Sequence, residues 1–362
     1  MRLVYLSPVP WASFAQRPHQ FVEWFHQRSG GEVLWIDPYP TRLPVLSDFR
    51  PRPAPAQAAP TTGWLEVIRP RALPIEPLPG SGWLNRWLWS DVIAAVAAFQ
   101  KRGPSLLGVG KPSELALQLL ARDMAVASFY DAMDDFPYFY QGMSRTAMAR
   151  RERLLSMKAR QVLVSSNALR RRFGSWRRDV TLVPNACAPE SLPTITQREA
   201  AQKCLLGFVG TIGAWFDWEW VFALARQNPT LRVRLIGPLH VPPPGPLPDN
   251  IELLPACDHT TAMQAMTQFA AGLIPFRNTR LTESVDPIKY YEYRALGLPV
   301  ISTRFGEMAL RGDAPGVILA DAHDDLAETV RRALTYRPEP AEIQVFRLEN
   351  SWEARFTAAG VL

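Results

Sequence analysis

The first half of the chain alternates short apolar runs, rich in β-branched and aromatic residues, with longer amphipathic runs. The short runs predict strands at 3–9, 32–36, 65–68, 105–109, 125–130, 161–165 and 180–183. The amphipathic runs predict helices at about 17–28, 85–101, 112–122, 144–158 and 167–173. Strands and helices that alternate at these lengths are typical of βαβ units, which build a parallel sheet.

The alternation starts again after a polar stretch from 185 to about 202, which is interpreted as an interdomain linker. Strands are predicted at 204–209, 231–236, 251–254, 271–276, 298–303 and 317–320. Helices are predicted at 217–227, 258–269, 287–296, 323–335 and 350–356. The sequence therefore predicts two doubly wound α/β domains in tandem, with ligands expected where the carboxyl ends of two parallel sheets surround one cleft.

Length and composition fit two domains. A single core rarely exceeds about 250–300 residues, and the chain has 362 residues, of which 47% are apolar and 20% charged. The net charge of +6 favours an anionic partner, which leaves nucleotide phosphates, nucleic acid and an acidic membrane surface open. Cys187, Cys204 and Cys257 lack the spacing of a disulfide framework or a zinc site, which favours a reducing compartment.

Targeting signals are weak. The first ten residues include Pro8 and Pro10 and are not typical of a signal peptide. The longest uninterrupted apolar run, 92–99, is far shorter than a bilayer span. We therefore expect a cytoplasmic protein that is soluble or peripheral on the inner face of the cell membrane.

The sharpest local pattern defines both ends of the helix at 287–296. Asp286 is expected to cap it, and Pro287 suits its first position. Gly297 suits the left-handed residue that follows a helix, and Pro299 prevents its continuation. The sequence therefore predicts a short helix with a fixed start.

Lys289 and Glu292 lie near that start, three residues apart on roughly one face. The unpaired N–H groups and positive dipole of a helix start favour a phosphate, and Lys289 adds a full charge there. The Glu292 carboxylate would accept hydrogen bonds from two ribose hydroxyls. The pair is thus predicted to hold a nucleoside diphosphate without a metal, the alternative being an ordinary surface ion pair.

A second pattern is the glycine turn from Gly210 to Gly213, between a strand and a helix. Such a turn lets the backbone approach phosphates closely, although it is neither a P-loop nor GxGxxG. A plain βα turn and a ligand loop remain equally open. Asp217 is interpreted as the cap of the next helix rather than as a catalytic acid.

Three carboxylates, Asp131, Asp134 and Asp135, crowd the end of a predicted strand in the first domain. Carboxylates that are close together and partly buried have raised pKa values, which suits a general base. Asp134 is the predicted base, on the side of the cleft opposite the nucleotide. The alternative is a set of capping aspartates on a solvated rim.

Arg17 and His19 open the first helix after the first strand, where a helix start faces the cleft. They are candidates to hold an anionic or hydroxylated acceptor, and a capping or packing role for His19 is an equal alternative. The remaining histidines do not complete a ligand set, so no metal centre is expected: His26, His240, His259 and His323.

The segment 145–178 is strongly basic, with Glu152 as its only acidic residue. Its cations are Arg145, Arg150, Arg151, Arg153, Lys158, Arg160, Arg170, Arg171, Arg172, Arg177 and Arg178. Together with the aromatic segment Trp83, Trp87 and Trp89, it is predicted to meet anionic lipid headgroups. The alternative is arginines on solvated helix faces and tryptophans in the core.

These segments together resemble nucleotide-sugar glycosyltransferases of the GT-B fold. The second-domain motif PIKYYEY, followed by ALG and PV, is similar to the nucleotide-binding signature of the family-four type. The first-domain pieces QRPHQ and YDAMDD resemble transferases of teichuronic acid and other cell-surface glycans. The resemblance covers nearly the whole chain, including the terminal SWE segment.

The resemblance implies two Rossmann-like domains that face each other across a cleft: an acceptor domain at 1–190, a donor domain at 200–340, and a C-terminal helix at 341–362 that packs back on the first domain. It implies that Lys289 binds the donor pyrophosphate and Glu292 the ribose. The other donor-binding residues that it implies are Gly210, Thr211, Ile212, Gly213, Phe276, Arg277 and Ile288. It implies no cofactor and no metal, a nucleotide sugar such as a UDP-sugar as donor, and a glycan or lipid-linked acceptor in polysaccharide assembly.

The chain departs from the family-four motif at a position that bears on the stereochemistry of transfer. The family-four motif has two glutamates seven residues apart, but Ser284 stands seven residues before Glu292, with Glu283 one place away. The missing carboxylate weakens a retaining mechanism and makes an inverting route, with Asp134 as base, a competitor.

Two other functions compete with a glycosyltransferase. One is a GT-B-fold nucleotide-sugar epimerase or hydrolase, which needs no membrane-facing surface. The other is a nucleic-acid binder that uses the basic segment, but that segment lacks interleaved aromatic residues and leaves the Lys289–Glu292 helix unexplained. Nucleic acid is therefore not expected as a partner.

Overall fold

The computed structural model describes residues 1–44, 62–122, 124–193 and 204–362. It divides into two compact units, one of Met1–Val183 with Phe356–Leu362 and one of Pro184–Arg355. The expected end of the linker at about 202 and the expected start of the second domain at 200 lie outside the described residues. Asn185, where the linker was expected to begin, is part of the second unit.

The first unit contains a seven-stranded parallel sheet in the order β3-β2-β1-β4-β5-β6-β7. Its strands are β1 (Arg2–Leu6), β2 (Val33–Ile36), β3 (Leu65–Ile68), β4 (Ser105–Val109), β5 (Ala127–Ala132), β6 (Gln161–Val164) and β7 (Val180–Leu182). Each coincides with a predicted strand to within a few residues. The central strands are almost wholly buried, because helices cover both faces of a parallel sheet.

The helices of this unit are α1 (Arg17–Ser29), α2 (Ser81–Asn85), α3 (Ser90–Lys101), α4 (Glu114–Leu120), α5 (Gly142–Lys158) and α6 (Asn167–Gly174). The helix expected at 85–101 begins five residues later, as α3, and is preceded by the short helix α2. Asn85, the last residue of α2, is buried. Its side-chain amide accepts a hydrogen bond from the Leu73 N–H and donates one to the Leu73 carbonyl.

The second unit contains a six-stranded parallel sheet in the order β10-β9-β8-β11-β12-β13. Its strands are β8 (Leu205–Val209), β9 (Arg232–Ile236), β10 (Ile251–Leu254), β11 (Ala271–Ile274), β12 (Val300–Ser302) and β13 (Val317–Leu319). Its helices are α7 (Trp218–Gln227), α8 (His259–Thr267), α9 (Ile288–Ala295), α10 (Leu326–Thr335) and α11 (Pro340–Glu349).

The C-terminal segment holds two helices, whereas one was expected at 341–362. Helix α11 packs on α9 within the second unit, with Tyr290 and Phe346 rings 5.9 Å apart. Helix α12 (Trp352–Ala358) follows after Asn350 and Ser351, which interrupt the helical backbone. Its residue Phe356 is buried in the first unit against Phe21 and Trp24.

Each sheet reverses its strand order at one place. In the first unit the reversal lies between β1 and β4, and in the second between β8 and β11. At such a reversal, the loops that follow the two neighbouring strands run to opposite faces of the sheet. This opens a crevice at the carboxyl ends of the strands, and open α/β sheets bind their ligands there. Ligand-binding residues are therefore expected at these two places.

Candidate functional site

The glycine turn follows β8, at the reversal point of the second sheet. The N–H groups of Gly210 and Ile212 donate to the carbonyls of Ile236 and Pro238 at 2.9 Å each. The N–H groups of Thr211 and Gly213 have no acceptor within the described residues. Two of the four N–H groups of the predicted donor loop are therefore not used in backbone hydrogen bonds among the described residues, and their contact with a ligand stays a prediction.

The segment after β11 is tied to that same turn. The Arg277 N–H donates to the Trp215 carbonyl at 2.7 Å, and Phe276 forms a bridge with Phe216. The Phe276 N–H also donates to the Thr303 hydroxyl after β12, at 3.1 Å. Phe276 and Arg277 thus lie beside the segment that follows the glycine turn, and their contact with a nucleotide stays a prediction. The Arg277 guanidinium is exposed and has no ion-pair partner among the residues described.

Helix α9 begins at Ile288, after Pro287, and no side chain caps it. The prediction that Asp286 caps this helix is therefore wrong, because its carboxylate binds other residues. It accepts hydrogen bonds from the N–H of Asn185 at 2.7 Å and from the Tyr291 hydroxyl at 2.9 Å, and it pairs with Arg311 at 2.6 Å. The buried Asp286 anchors the start of the helix and leaves its first N–H groups unoccupied by a cap.

The other end of α9 is as predicted. Gly297 has a φ of +70°, and its N–H donates to the Arg294 carbonyl, while the Leu298 N–H reaches back to the Tyr293 carbonyl. The Tyr293 hydroxyl accepts from the N–H of Val209, the last residue of β8, at 3.2 Å. This contact fixes α9 beside the strand that carries the glycine turn.

Lys289 and Glu292 form an ion pair in the structure, with both side chains mostly buried. The N–H groups of Ile288 and Lys289 have no acceptor among the described residues. Together with the Lys289 ammonium group, they place three hydrogen-bond donors at one helix start. The ion pair alone is compatible with both interpretations of the sequence. Its burial distinguishes it from an ordinary surface pair, and the donor-binding role stays a prediction.

Ser284 stands where the family-four motif has its second glutamate. Ser284 is buried, and Glu283 is half-exposed and pairs with Arg280 at 3.0 Å. The displaced carboxylate of Glu283 is therefore on the surface, in an exposed pair at the same i,i+3 spacing as Lys289 and Glu292.

In the first unit, two of the three crowded carboxylates are paired. Asp131 is completely buried and accepts from Nε and Nη2 of Arg17, the shortest of these distances being 2.8 Å. Asp135 pairs with Arg172, which also pairs with the buried Glu152. These two aspartates therefore hold the strand end to helices α1 and α6.

Asp134 differs from both neighbours, since it has no hydrogen bond or ion pair to another described residue. Burial raises the pKa of its carboxyl to about 7; the charge of Arg17 opposes this rise, and the charges of Asp135 and Asp131 add to it. A carboxylate with a pKa near neutrality can accept a proton at physiological pH. The raised pKa is compatible with the predicted general base, and that role stays a prediction.

Arg17 and His19 have other partners. The buried Arg17 donates to Asp131 and to the Val183 carbonyl at 2.8 Å. His19 accepts from the Gln16 N–H at 3.2 Å, its other nitrogen lies 3.2 Å from the Trp11 carbonyl, and burial lowers its pKa. The structure therefore gives both residues positioning roles. For His19 this is the capping and packing role that the sequence left open as an alternative. Contact with an acceptor stays a prediction.

The anchoring cluster of Asp286, Tyr291 and Arg311 was missed by sequence reasoning. Arg311 also donates to the Tyr291 hydroxyl at 2.7 Å. The only local signal is an aspartate before a proline, which is equally typical of a cap. Arg311 lies 25 residues away in a different turn, so no spacing rule connects it with Asp286.

No family model and no curated protein matches the sequence. The structure, in contrast, is similar to solved structures along its whole length. Sucrose-phosphate synthase from Thermosynechococcus elongatus is 15% identical with a TM-score of 0.70, covering 99% of this chain and 98% of that chain. A structure from E. coli described as trehalose-6-phosphate bound with UDP-2-fluoro glucose is 13% identical with a TM-score of 0.66, covering 100% of both. Anabaena HepE in complex with UDP and glucose is 12% identical with a TM-score of 0.64, covering 99% and 98%.

At these identities the similarity shows the fold. The expected GT-B fold, built from two parallel α/β sheets of seven and six strands, is confirmed.

Proposed function

We propose that the protein is a glycosyltransferase that moves a sugar from a nucleoside-diphosphate sugar to a glycan or lipid-linked acceptor. The observation that carries this proposal is the start of α9, where Lys289, Glu292 and N–H groups without an acceptor among the described residues lie together, on a helix that Tyr293 ties to β8, the strand before the glycine turn. Three structural neighbours add support, because two are described as complexes with UDP or a UDP-sugar and one as a sucrose-phosphate synthase.

In this proposal the ion pair at α9 opens when the donor binds. Lys289 turns from Glu292 to the pyrophosphate, and the released carboxylate accepts the ribose hydroxyls. The helix start and Lys289 together offset the charge of the pyrophosphate, so binding needs no divalent metal. Arg277, exposed beside the segment that follows the glycine turn, is a further cation for the phosphates.

Asp134 is the proposed general base. In this role it removes the proton from the acceptor hydroxyl that attacks the anomeric carbon, while the nucleoside diphosphate leaves, which inverts the anomeric configuration. The absence of a glutamate at position 284 favours this route over a retaining one. We further propose a place in cell-surface polysaccharide assembly, on the cytoplasmic face of the membrane.

A nucleotide-sugar epimerase or hydrolase is the second candidate, because the same donor site would serve it. The two are separated by incubating the protein with a panel of nucleoside-diphosphate sugars, with and without glycan and lipid-linked acceptors, in the presence of a chelator. A transferase releases nucleoside diphosphate only when an acceptor is present, and the sugar appears on that acceptor. Release or epimerisation at an equal rate without acceptor would contradict the proposal.

A further inference from the structure

A groove of about 1210 Å³ lies on the first unit between α2, α4 and α5, apart from the residues assigned to the reaction. Its lining combines apolar and cationic side chains. Trp83, Met143 and Leu154 supply apolar surface, and Arg86, Arg122 and Arg150 supply charge. A groove lined by both kinds of side chain fits an amphipathic anion.

Large apolar side chains at the groove and next to it are unusually exposed. The Trp83 side chain in the lining is 71% exposed, and Trp87, in the turn after α2, is 86% exposed. Leu84, Leu88 and Met143 nearby are also exposed. Soluble surfaces rarely present large aromatic side chains in such a cluster, whereas tryptophan is enriched where proteins meet the headgroup region of a membrane.

Three arginines of the lining carry charge that the described residues do not neutralise. Arg86, Arg122 and Arg150 have no side-chain partner among the described residues. The buried Arg151, in contrast, pairs with Glu114 at 2.7 Å and with Glu76 at 3.3 Å. The groove lining thus holds four arginines and one carboxylate, and that carboxylate is already paired.

Two cations of the basic segment are engaged by the protein itself, so they are not available for the membrane contact expected from the sequence. Arg172 pairs with buried carboxylates, and Arg177 donates to the carbonyls of Ser156 and Ala159. Of the arginines in 145–178, Arg150 and Arg151 line the groove.

We propose that this groove binds an anionic phospholipid, with the phosphate at the arginines and apolar chain against Trp83 and Leu154, and so docks the protein on an acidic membrane. None of the described helices is long and apolar enough to span a bilayer, so this contact is peripheral. It deepens the membrane location in the proposed function and names the residues that produce it.

The test is flotation with vesicles of phosphatidylcholine containing 30% phosphatidylglycerol, compared with phosphatidylcholine alone. The wild type is expected to bind only the acidic vesicles and to dissociate at 0.5 M salt. An arginine near an acidic membrane contributes about 1 kcal/mol, so the triple variant Arg86→Gln, Arg122→Gln, Arg150→Gln is expected to bind about 100-fold more weakly. The pair Trp83→Ser, Trp87→Ser is expected to weaken binding even at low salt.

A matched control removes the same charge elsewhere. Arg28, Arg232 and Arg332 are exposed and lie outside the groove. Their triple replacement by Gln is expected to retain most of the binding. Equal losses in both triple variants, or no binding of wild type to acidic vesicles, would overturn the proposal, as would tight binding of single-stranded RNA that the groove variant abolishes while vesicle binding is unchanged.

Donor binding, measured without vesicles, separates this inference from the proposed reaction. The groove variants are expected to keep wild-type affinity for UDP, because no groove residue belongs to the second unit. A protein that binds vesicles through the groove but no nucleotide would retain this inference and contradict the transferase; the reverse result would retain the transferase alone.

Discussion

The chemistry of Asp134 follows from the surroundings of its carboxylate. Its two neighbours are held by Arg17 and Arg172, whereas Asp134 has no ion pair among the described residues. Burial then raises its pKa to about 7, which keeps it basic enough to accept a proton from an acceptor hydroxyl.

Asp134→Asn is expected to reduce sugar transfer by about 10²–10⁴-fold, because the amide keeps the shape of the side chain and cannot accept the proton. Donor affinity should stay within about twofold of wild type, since the predicted donor residues belong to the second unit. Turnover and calorimetry on the variant measure both quantities. Asp179→Asn, at an exposed aspartate of the same unit, is the control, and normal turnover of Asp134→Asn would exclude it as the base.

The pH profile of kcat/KM provides a separate check. A base acts only when ionised, so the rate is expected to fall about tenfold per pH unit below pH 7, following the raised pKa of Asp134. Asp135→Asn should move this limb to lower pH, because the Asp135 charge raises the pKa of Asp134. A limb that stays near 7 in Asp134→Asn would belong to another group.

At the donor site, Lys289→Ala is expected to weaken nucleoside-diphosphate binding more than Glu292→Gln does. A charged hydrogen bond lost in a binding site typically costs about 1.5–3 kcal/mol, which corresponds to roughly 10–150-fold in affinity. The exposed pair Arg280 and Glu283 has the same i,i+3 spacing and serves as control through Arg280→Ala and Glu283→Gln. Wild-type affinity in both α9 variants would remove this site from consideration.

At the scale of elements, α9 is held by contacts at both ends. The buried Asp286 ties its start to Asn185 and Arg311, and Tyr293 ties it to β8. Because an eight-residue helix has little stability of its own, these contacts fix the direction of its free N–H groups.

Asp286→Asn is expected to lower the free energy of unfolding by about 3 kcal/mol, because it leaves the charge of Arg311 without its partner in a mostly buried place. Urea unfolding measures the change. Asp321→Asn removes an exposed aspartate from Arg304 and should cost less than about 1 kcal/mol. Equal effects of the two substitutions would show that Asp286 is not an anchor.

The elements themselves were largely predictable from the sequence. Buried parallel strands are continuous apolar runs, and all thirteen predicted strands are present. The break between α11 and α12 was not predicted, since one C-terminal helix was expected at 341–362; α11 packs on α9 instead of on the first unit. The role of Asp286 was misjudged because its partner Arg311 is distant in sequence, and local rules describe only neighbours along the chain.

At the scale of the whole molecule, two parallel sheets of seven and six strands give the GT-B fold. The fold predicts where a ligand binds, at the strand-order reversals, but not which ligand. Which carboxylate is unpaired, and which arginines are neutralised, depends on contacts such as Arg17 with Asp131, 114 residues apart. Those contacts were not visible in the sequence.

The central claim is that α9 and the glycine turn bind a nucleoside diphosphate without metal. The most direct measurement is thermal unfolding of wild type and Lys289→Ala in a chelator, across a panel of nucleoside diphosphates. We predict that one of them stabilises the wild type by about 2.7 kcal/mol at 100 times its dissociation constant, and the variant far less at the same concentration. Stabilisation by none of them, or only with Mg²⁺ or Mn²⁺ present, would contradict the claim.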